Sequence, residues 1–418
     1  MKITLIYIIL FLYTYGMQYI FLPFSTRVLL GILGFIILVF TVLMNKKNFS
    51  LNKDLLIVFI FLILISIISA GSVLYNSTTD MEFIRYSISM TINVFASFFV
   101  IKMLQKLDFN LDFQSISKLL INIIFIQVLI ALAMFVLPDL KYFLLGLEKM
   151  TEETFERNIY LSEIRFMGIG AAKTFTSGII NGFGLILIAI VFRLHSLSSK
   201  EIISLSIKFL IIFALGMMMA RTTLVGAIFA FMIIMLPKNF NATISMFKKR
   251  GLFFSTLIII TAIALLSVMA FHPDFLLIFQ YGFEMFINYF TKGSFESAST
   301  NQLMDMYVFP VELKTWIIGD AYWWNPIIDG SYYMHTDVGY SRLVFYFGLV
   351  GLFVYLSMQV FIMLKAYKYF NVNLKYYIFI VVYLLVLNLK GFTDLFWLNM
   401  IFFMAYVLNK KSIIKVDS

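Results

Sequence analysis

The chain has 418 residues, of which 62% are hydrophobic and 13% are charged, and it carries a net charge of +10. Soluble domains average about 25% charged residues, so this composition indicates a membrane protein and excludes an ordinary soluble enzyme. The chain has no cysteine, which excludes disulfides and thiolate chemistry, and its basic residues cluster at the ends of apolar segments, which argues against nucleic acid as a partner.

Apolar segments long enough to cross a bilayer, which takes about 20 residues, recur from the first residues onward. We predict an all-α polytopic membrane protein with about twelve transmembrane helices. The first apolar segment is too long for a signal-peptide core and is interpreted as a span. The predicted spans are residues 3–22, 28–44, 54–75, 86–104, 118–138, 168–192, 202–220, 222–237, 252–271, 343–364, 375–389 and 393–409.

Lysine and arginine are concentrated in the connections on one side of these spans. By the positive-inside rule this side is cytoplasmic, and it also holds both termini. Residues 1–271 then form spans 1–9, with an outer loop at 139–167. Residues 272–342 form a large extracytoplasmic loop between helices 9 and 10, and residues 343–418 form spans 10–12 with a cytoplasmic tail.

The seventh and eighth spans form one apolar run that is too long for a single helix. We therefore predict a helical hairpin with Arg221 at its apex. A guanidinium there can hold a phosphate or pyrophosphate through two parallel hydrogen bonds. The alternative is a side chain that only marks the helix end. Gly226 on the next helix is expected to let another helix approach closely.

Four reactive side-chain types fall within eight residues where the large loop meets span 10: His335, Asp337, Tyr340 and Arg342. A carboxylate or imidazole within reach of a hydroxyl can act as a general base, so His335 and Asp337 are predicted to be catalytic. Tyr340 and Arg342 are predicted to contact substrate. The alternative is that Thr336 or Asp337 only caps the following helix.

A second pair of basic residues, Arg165 and Lys173, flanks two glycines at the end of the shorter outer loop. The segment superficially resembles a phosphate-binding loop, but the preceding strand that such loops require is missing. Contact with a lipid-linked phosphate is the remaining functional interpretation of Arg165 and Lys173.

Asp320, Trp323 and Trp324 lie close together in the large loop. The flat indole rings suit a sugar face and suit a membrane interface equally well. Asp320 and both tryptophans are retained as candidate substrate contacts. Paired acids with metal-ligand spacing are missing from the sequence, so we predict neither a metal nor a cofactor.

At several of these residues the sequence resembles the bacterial O-antigen and capsule polymerases of the Wzy type and, more distantly, the O-antigen ligases. The resemblance covers Arg165 to Gly168, the turn from Ala220 to Gly226, the large outer loop, and the segment from Asp337 to Arg342 that leads to Gly348 and Gly351. Ligases commonly have a histidine where this chain has Asp337, which favours a polymerase.

The resemblance implies an enzyme of the bacterial inner membrane that joins oligosaccharide repeat units at the outer face. Donor and acceptor would both be linked to polyprenyl pyrophosphate, membrane lipid would surround the chain, and chain-length regulator and flippase proteins would be its partners. Arg221, aided by Arg165 or Arg342, would stabilise the departing pyrophosphate. Asp337 or His335 would take the proton of the acceptor hydroxyl.

Three other classes of protein were weighed against the polymerase. A ligase would transfer finished polymer to a lipid core. A transporter or flippase of lipid-linked oligosaccharide would require charged residues along a central path and related halves, and the sequence has neither feature. A membrane scaffold would not need the Arg221 apex or the polar cluster before span 10.

Overall fold

The computed structural model describes residues 2–44, 52–194, 197–236, 273–328 and 330–409, together with residues 251, 253 and 255. Across these residues the regular structure is helical and includes no β-strand. The predicted all-α class is therefore confirmed for the part of the chain that the structure describes.

The helices are numbered in chain order. They are α1 (Lys2–Tyr15), α2 (Thr26–Met44), α3 (Lys53–Asn76), α4 (Glu82–Lys106), α5 (Phe113–Val136), α6 (Pro138–Gly146), α7 (Glu152–Ile164), α8 (Thr174–Leu194), α9 (Ser199–Met219), α10 (Thr223–Met235), α11 (Pro273–Lys292), α12 (Ala298–Asp305), α13 (Leu313–Ile317), α14 (Gly339–Tyr369), α15 (Leu374–Leu387) and α16 (Phe396–Asn409).

Seven of these helices are long and apolar enough to cross a membrane, namely α2, α3, α4, α5, α8, α9 and α14. Each coincides with a predicted span. Four shorter apolar helices, α1, α10, α15 and α16, coincide with four more. The predicted span at 252–271 lies outside the described residues apart from positions 253 and 255. The protein is thus a multi-helix membrane protein, and the count of twelve stays a prediction.

The chain forms two compact units that are interleaved in sequence. The first unit comprises Met1–Ile9, Thr26–Leu111 and Ala298–Ser418, and the second comprises Leu10–Ser25 and Asp112–Ser297. The predicted loop at 272–342 is therefore divided between them. Its first part, which includes α11, belongs to the second unit, and its remainder belongs to the first unit.

In the first unit α14 packs against α3 and α16, and it is interrupted near its N-terminal end. Gly348 has φ +71°, a left-handed value that glycine adopts without strain. The carbonyls of Phe345 and Tyr346, freed by the break, accept hydrogen bonds from the backbone N–H groups of Asp320 at 2.6 Å and Ala321 at 3.1 Å. A segment of the large loop thus supplies the donors that an interrupted helix in an apolar environment needs.

The second unit is built around α8, since 89% of an apolar 18-residue stretch of this helix is buried. Helices α5, α9 and α10 all pack on it. Gly226 of α10 lies directly against Gly182 of α8, where an added Cβ would come within 2.1 Å of the Gly182 Cα. The expected close approach at Gly226 is confirmed.

Two predicted span boundaries were wrong, for one shared reason. The helix predicted at 3–22 ends at Tyr15, and the helix predicted to begin at 168 begins at Thr174. Residues 16–22 and 168–173 do not continue these helices, because backbone groups in both segments pair with other parts of the chain. The N–H of Ile20 donates to Leu147 at 3.0 Å, and the N–H of Ala171 donates to Tyr15 at 2.7 Å.

Candidate functional site

The predicted hairpin turn at Arg221 is present in the second unit. Helix α9 ends at Met219, and α10 begins at Thr223. The N–H of Thr223 donates to the Ala220 carbonyl at 3.0 Å, and the Thr223 hydroxyl donates to the Gly216 carbonyl at 2.9 Å. These bonds fix the turn and direct the Arg221 side chain away from both helix axes.

The Arg221 side chain contacts α11, the first helix of the large loop. Its Nε donates to the Tyr281 carbonyl at 2.8 Å, its guanidinium carbon lies 4.4 Å from the centre of the Tyr281 ring, and its Nη2 pairs with the Glu284 carboxylate. Only 9% of the Arg221 side chain is exposed. A buried guanidinium is thus held by a carboxylate, a carbonyl and an aromatic face.

Arg165 reaches the same tyrosine from the residue that follows α7. Its Nη1 lies 3.4 Å from the Tyr281 hydroxyl, and its guanidinium carbon lies 5.7 Å from the ring centre. The Nε of Arg165 is buried and has no hydrogen-bond partner among the described residues. We call Arg165, Arg221, Tyr281 and Glu284 the arginine cluster.

The arginine cluster is suited to an anion. It brings two guanidinium groups, those of Arg165 and Arg221, to one tyrosine ring beside the carboxylate of Glu284. The buried Nε of Arg165 is a donor that a ligand oxygen would satisfy. The sequence predicted Arg165 and Arg221, and the structure brings them together. It did not predict Tyr281 or Glu284, which are separated from Arg221 by about sixty residues.

Lys173 lies in the same unit but has a carboxylate partner of its own. Its ammonium is 2.7 Å from the Glu148 carboxylate, and the two side chains are 19% and 8% exposed. The other Glu148 oxygen accepts from the Gly170 N–H at 3.0 Å. This pair ties the loop before α8 to the end of α6, so a phosphate would have to compete with Glu148 for Lys173. The assignment of Lys173 to substrate binding stays a prediction.

The second group of candidate residues lies in the first unit and forms a stack of four planar groups. The Arg342 guanidinium carbon lies 3.6 Å from the centre of a Trp323 ring and 3.5 Å from that of Tyr332. Trp324 stacks on Tyr332 with the ring centres 5.0 Å apart. We call these four residues the aromatic stack. Trp324 is its outer member, with 42% exposure, whereas Arg342 is 7% exposed.

Asp80, in the connection between α3 and α4, holds the aromatic stack in place. Its carboxylate accepts the backbone N–H groups of Trp323 at 2.7 Å and Trp324 at 3.2 Å. Phe83 of α4 packs edge-on against Trp323 at 5.0 Å. Charge-assisted hydrogen bonds of this kind are the strong ones, so the stack presents the Trp324 ring on a fixed support.

Asp320 has its hydrogen-bonding capacity occupied within the loop. Its carboxylate accepts from the Lys314 ammonium at 2.9 Å, the Thr315 hydroxyl at 2.7 Å and the Tyr333 hydroxyl at 3.3 Å. These bonds connect α13 to the segment before α14. A structural role explains them fully, and a sugar contact at Asp320 stays a prediction.

The Tyr333 hydroxyl provides a test of this arrangement. Burial, followed by the charge of Asp320, raises the pKa of Tyr333 to about 12, against about 10 for a free tyrosine. The folded state therefore holds this proton between pH 10 and 12 when the unfolded chain has lost it. The corresponding stability is complete below pH 10 and is lost as the pH rises to 12.

We expect Tyr333→Phe to remove one tyrosine from the step near pH 12 of an alkaline titration followed by tyrosinate absorbance. Asp320→Asn removes one cause of the shift and should move that step to lower pH. The melting temperature of Tyr333→Phe should also fall less steeply between pH 10 and 12 than that of the parent chain. Identical titrations of all three proteins would show that the Tyr333 hydroxyl does not lie beside Asp320.

The segment that opens α14 carries the two predicted catalytic residues. His335 is exposed, in a short 3₁₀ turn at Tyr333–His335, and has φ +53°. Asp337 is half-buried. Tyr340 donates its hydroxyl to the Leu385 carbonyl at 2.8 Å, which anchors α14 to α15. Substrate contact by Tyr340 would require this bond to open and stays a prediction.

The capping interpretation of Thr336 and Asp337 is wrong. The N-cap of α14 is Val338, whose side chain makes no capping hydrogen bond. Thr336 instead donates to the Met306 carbonyl at 2.6 Å and accepts from the Val338 N–H at 3.2 Å. Thr336 thus connects the end of α12 to the start of α14. Neither Thr336 nor Asp337 is the N-cap residue of α14.

Comparison with family models, with curated proteins and with solved structures finds no match to this chain. Its function is therefore argued from the geometry of its own residues. The arginine cluster and the aromatic stack each combine a largely buried charge with aromatic surfaces next to a predicted outer loop.

Proposed function

We propose that the protein is a polysaccharide polymerase of the bacterial inner membrane. It would join oligosaccharide repeat units carried on polyprenyl pyrophosphate, at the outer face and with both termini in the cytoplasm. The arginine cluster is the observation that carries the proposal, because Arg165 and Arg221 arrive from separate elements at one tyrosine ring. A pyrophosphate leaving group carries several negative charges, and cations placed where that charge develops stabilise the transition state.

In the proposed reaction the acceptor hydroxyl oxygen bonds to the anomeric carbon of the donor sugar. The bond from that carbon to the pyrophosphate oxygen breaks, and its electron pair stays on this oxygen. Arg221 and Arg165 stabilise the resulting negative charge. A general base takes the hydroxyl proton, and a positioned base typically contributes about 10²–10⁴-fold. The sequence predicts Asp337 or His335 for this role. The pyrophosphate supplies the activation, so the reaction requires no nucleotide.

The aromatic stack has a separate place in this proposal. Sugar rings pack their C–H edges against flat aromatic faces, and Trp324 offers such a face on a support fixed by Asp80. Trp323 and Arg342, both largely buried, would act by holding Trp324 and Tyr332 in position.

Cells that lack this chain provide the direct test. The polymerase proposal predicts single repeat units on the lipid core when surface polysaccharide is separated on a gel, and long chains when the gene is restored. Polysaccharide missing from the core would indicate a ligase instead. Lipid-linked substrate trapped on the cytoplasmic side would indicate a flippase.

A pair of matched substitutions tests the predicted base. Asp337→Asn keeps the size of the side chain but removes the carboxylate, so a role for Asp337 as the base requires polymer yield to fall about 10²-fold or more. Asp329→Asn changes an acid in the same loop, at a position outside the described residues, and should leave the yield near that of the parent chain. Equal yields from the two variants would remove Asp337 from the reaction.

A further inference from the structure

Glu284 is the acid that pairs with Arg221 in the arginine cluster. It lies on α11, one helical turn after Tyr281, so both side chains lie on the face of α11 that contacts Arg221. Its carboxylate pairs with Arg221, the residue that would hold the pyrophosphate. Glu284 is 28% exposed whereas Arg221 is 9% exposed, so the carboxylate approaches the guanidinium from the accessible side of the pair.

A bound pyrophosphate and Glu284 cannot both keep this position on Arg221. Two anions a few ångströms apart repel each other strongly where water is scarce. The phosphate oxygens are the stronger competitors, because they carry more charge and can be shared with Arg165, whose Nε is buried without a partner among the described residues. The carboxylate is then pushed off Arg221 but stays on α11, next to the bound leaving group.

Displacement also changes the chemistry of the carboxylate. A carboxylate that is released from Arg221 can accept a hydrogen bond from an acceptor hydroxyl instead, as a general base must. This links the availability of the base to donor binding. It also gives a physical reason for an acid to lie in a cluster that is meant to bind an anion.

We propose that Glu284 is the general base of the polymerisation, held on Arg221 in the free protein and released by the incoming pyrophosphate. The inference rests on the proposed function and assigns its base to a residue of the arginine cluster in place of Asp337 or His335. The acceptor hydroxyl gives its proton to a Glu284 oxygen as the new glycosidic bond forms. The breaking bond leaves its electron pair on the pyrophosphate, which remains paired with the arginines.

The variant Glu284→Gln distinguishes this role from a structural one. It keeps the size of the side chain and can still accept a hydrogen bond from Arg221, but it cannot take a proton or repel a phosphate. We expect kcat to fall about 10²–10⁴-fold, while purified protein in lipid nanodiscs binds polyprenyl pyrophosphate at least as tightly as the parent chain does. If Glu284 only positioned Arg221, binding would weaken and kcat would change little.

Glu201→Gln is the matched control. Glu201 pairs with Lys118 at 2.7 Å in the same unit, belongs to neither candidate site, and in its glutamine form can still complete the capping box of α9. It should leave kcat and binding unchanged. Glu284→Asp should retain more activity than Glu284→Gln, because it restores a carboxylate.

The outcomes distinguish the assignment of Glu284 as the base from the proposed polymerase function. Full activity in Glu284→Gln together with loss in Asp337→Asn would overturn the assignment of Glu284 and leave the polymerase intact. A parent protein that neither binds polyprenyl pyrophosphate nor elongates lipid-linked repeat units would overturn the proposed function itself.

Discussion

Cells that carry Arg221→Ala are expected to make single repeat units and almost no long polysaccharide. The substitution removes a cation of the arginine cluster that is 9% exposed, and loss of one preorganised group that stabilises developing negative charge typically costs about 10²–10³ in rate. Arg221→Lys should fall nearly as far. A lysine keeps the charge but loses the planar fork and the stacking on Tyr281. Chain length on a gel and turnover of lipid-linked substrate by purified protein measure both effects.

Loss of polymer must be separated from loss of fold. Arg221→Ala leaves Glu284 without its partner, so the double variant Arg221→Ala, Glu284→Ala should regain thermal stability but not activity. Arg157→Ala removes an exposed arginine of α7, eight residues before Arg165, and should behave like the parent chain. Normal chain length in a well-folded Arg221→Ala protein would exclude this residue from the reaction.

Gly226→Val is expected to prevent accumulation of folded protein. An added Cβ at this position would come within 2.1 Å of the Gly182 Cα and 2.6 Å of its carbonyl oxygen, and backbone atoms cannot rotate aside. Helices α8 and α10 would have to separate along their length, which would disturb the most enclosed helix of the second unit. Overpacking of this kind typically costs 1–3 kcal/mol and often more. Melting temperature in detergent and yield of monodisperse protein provide the measurement.

Gly71→Val is the control for this experiment. Gly71 also lies within an apolar helix, α3, but an added Cβ there would meet no atom within 4 Å. The substitution should leave yield and melting temperature nearly unchanged. Equal behaviour of the two variants would show that α8 and α10 do not meet at Gly226.

The sequence predicted the helices well where the membrane alone determines them. A helix that crosses a bilayer must satisfy its own backbone and requires about 20 apolar residues, so α2, α3 and α5 can be recognised from local composition. The turn at Arg221 followed from the same rule, since its apolar run was too long for one span. Gly226 followed from the preference for small residues at helix contacts.

The partners of the candidate residues could not be predicted in the same way. Glu284 reaches Arg221, and Asp80 reaches Trp323, across separations set by tertiary packing and by no local pattern. Hydropathy also treats residues 272–342 as one polar loop. The structure divides this segment between two units, because α11 packs on α9 whereas α13 packs on α14.

Function was the hardest to predict, because a basic residue at the end of a span can form a structural ion pair or bind an anionic ligand. Lys173 and Arg221 look alike in sequence, each a base beside small residues at a span end. Lys173 is neutralised by Glu148, which also binds a backbone amide. Arg221 pairs with Glu284 in a cluster that also contains the guanidinium of Arg165. Only the count of charges around each base distinguishes a structural ion pair from a candidate anion site.

The interruption in α14 restricts how the outer region can rearrange. Lifting the backbone at Asp320 would remove the loop donor of the Phe345 carbonyl, and lifting Ala321 would leave the Tyr346 carbonyl with the Ser72 hydroxyl at 2.9 Å. An unsatisfied polar group in hydrocarbon costs several kcal/mol. The hydrogen bonds from Asp320 and Ala321 to α14 should therefore persist while the protein works. A rearrangement that admits the proposed glycan must therefore hinge at other positions of the loop.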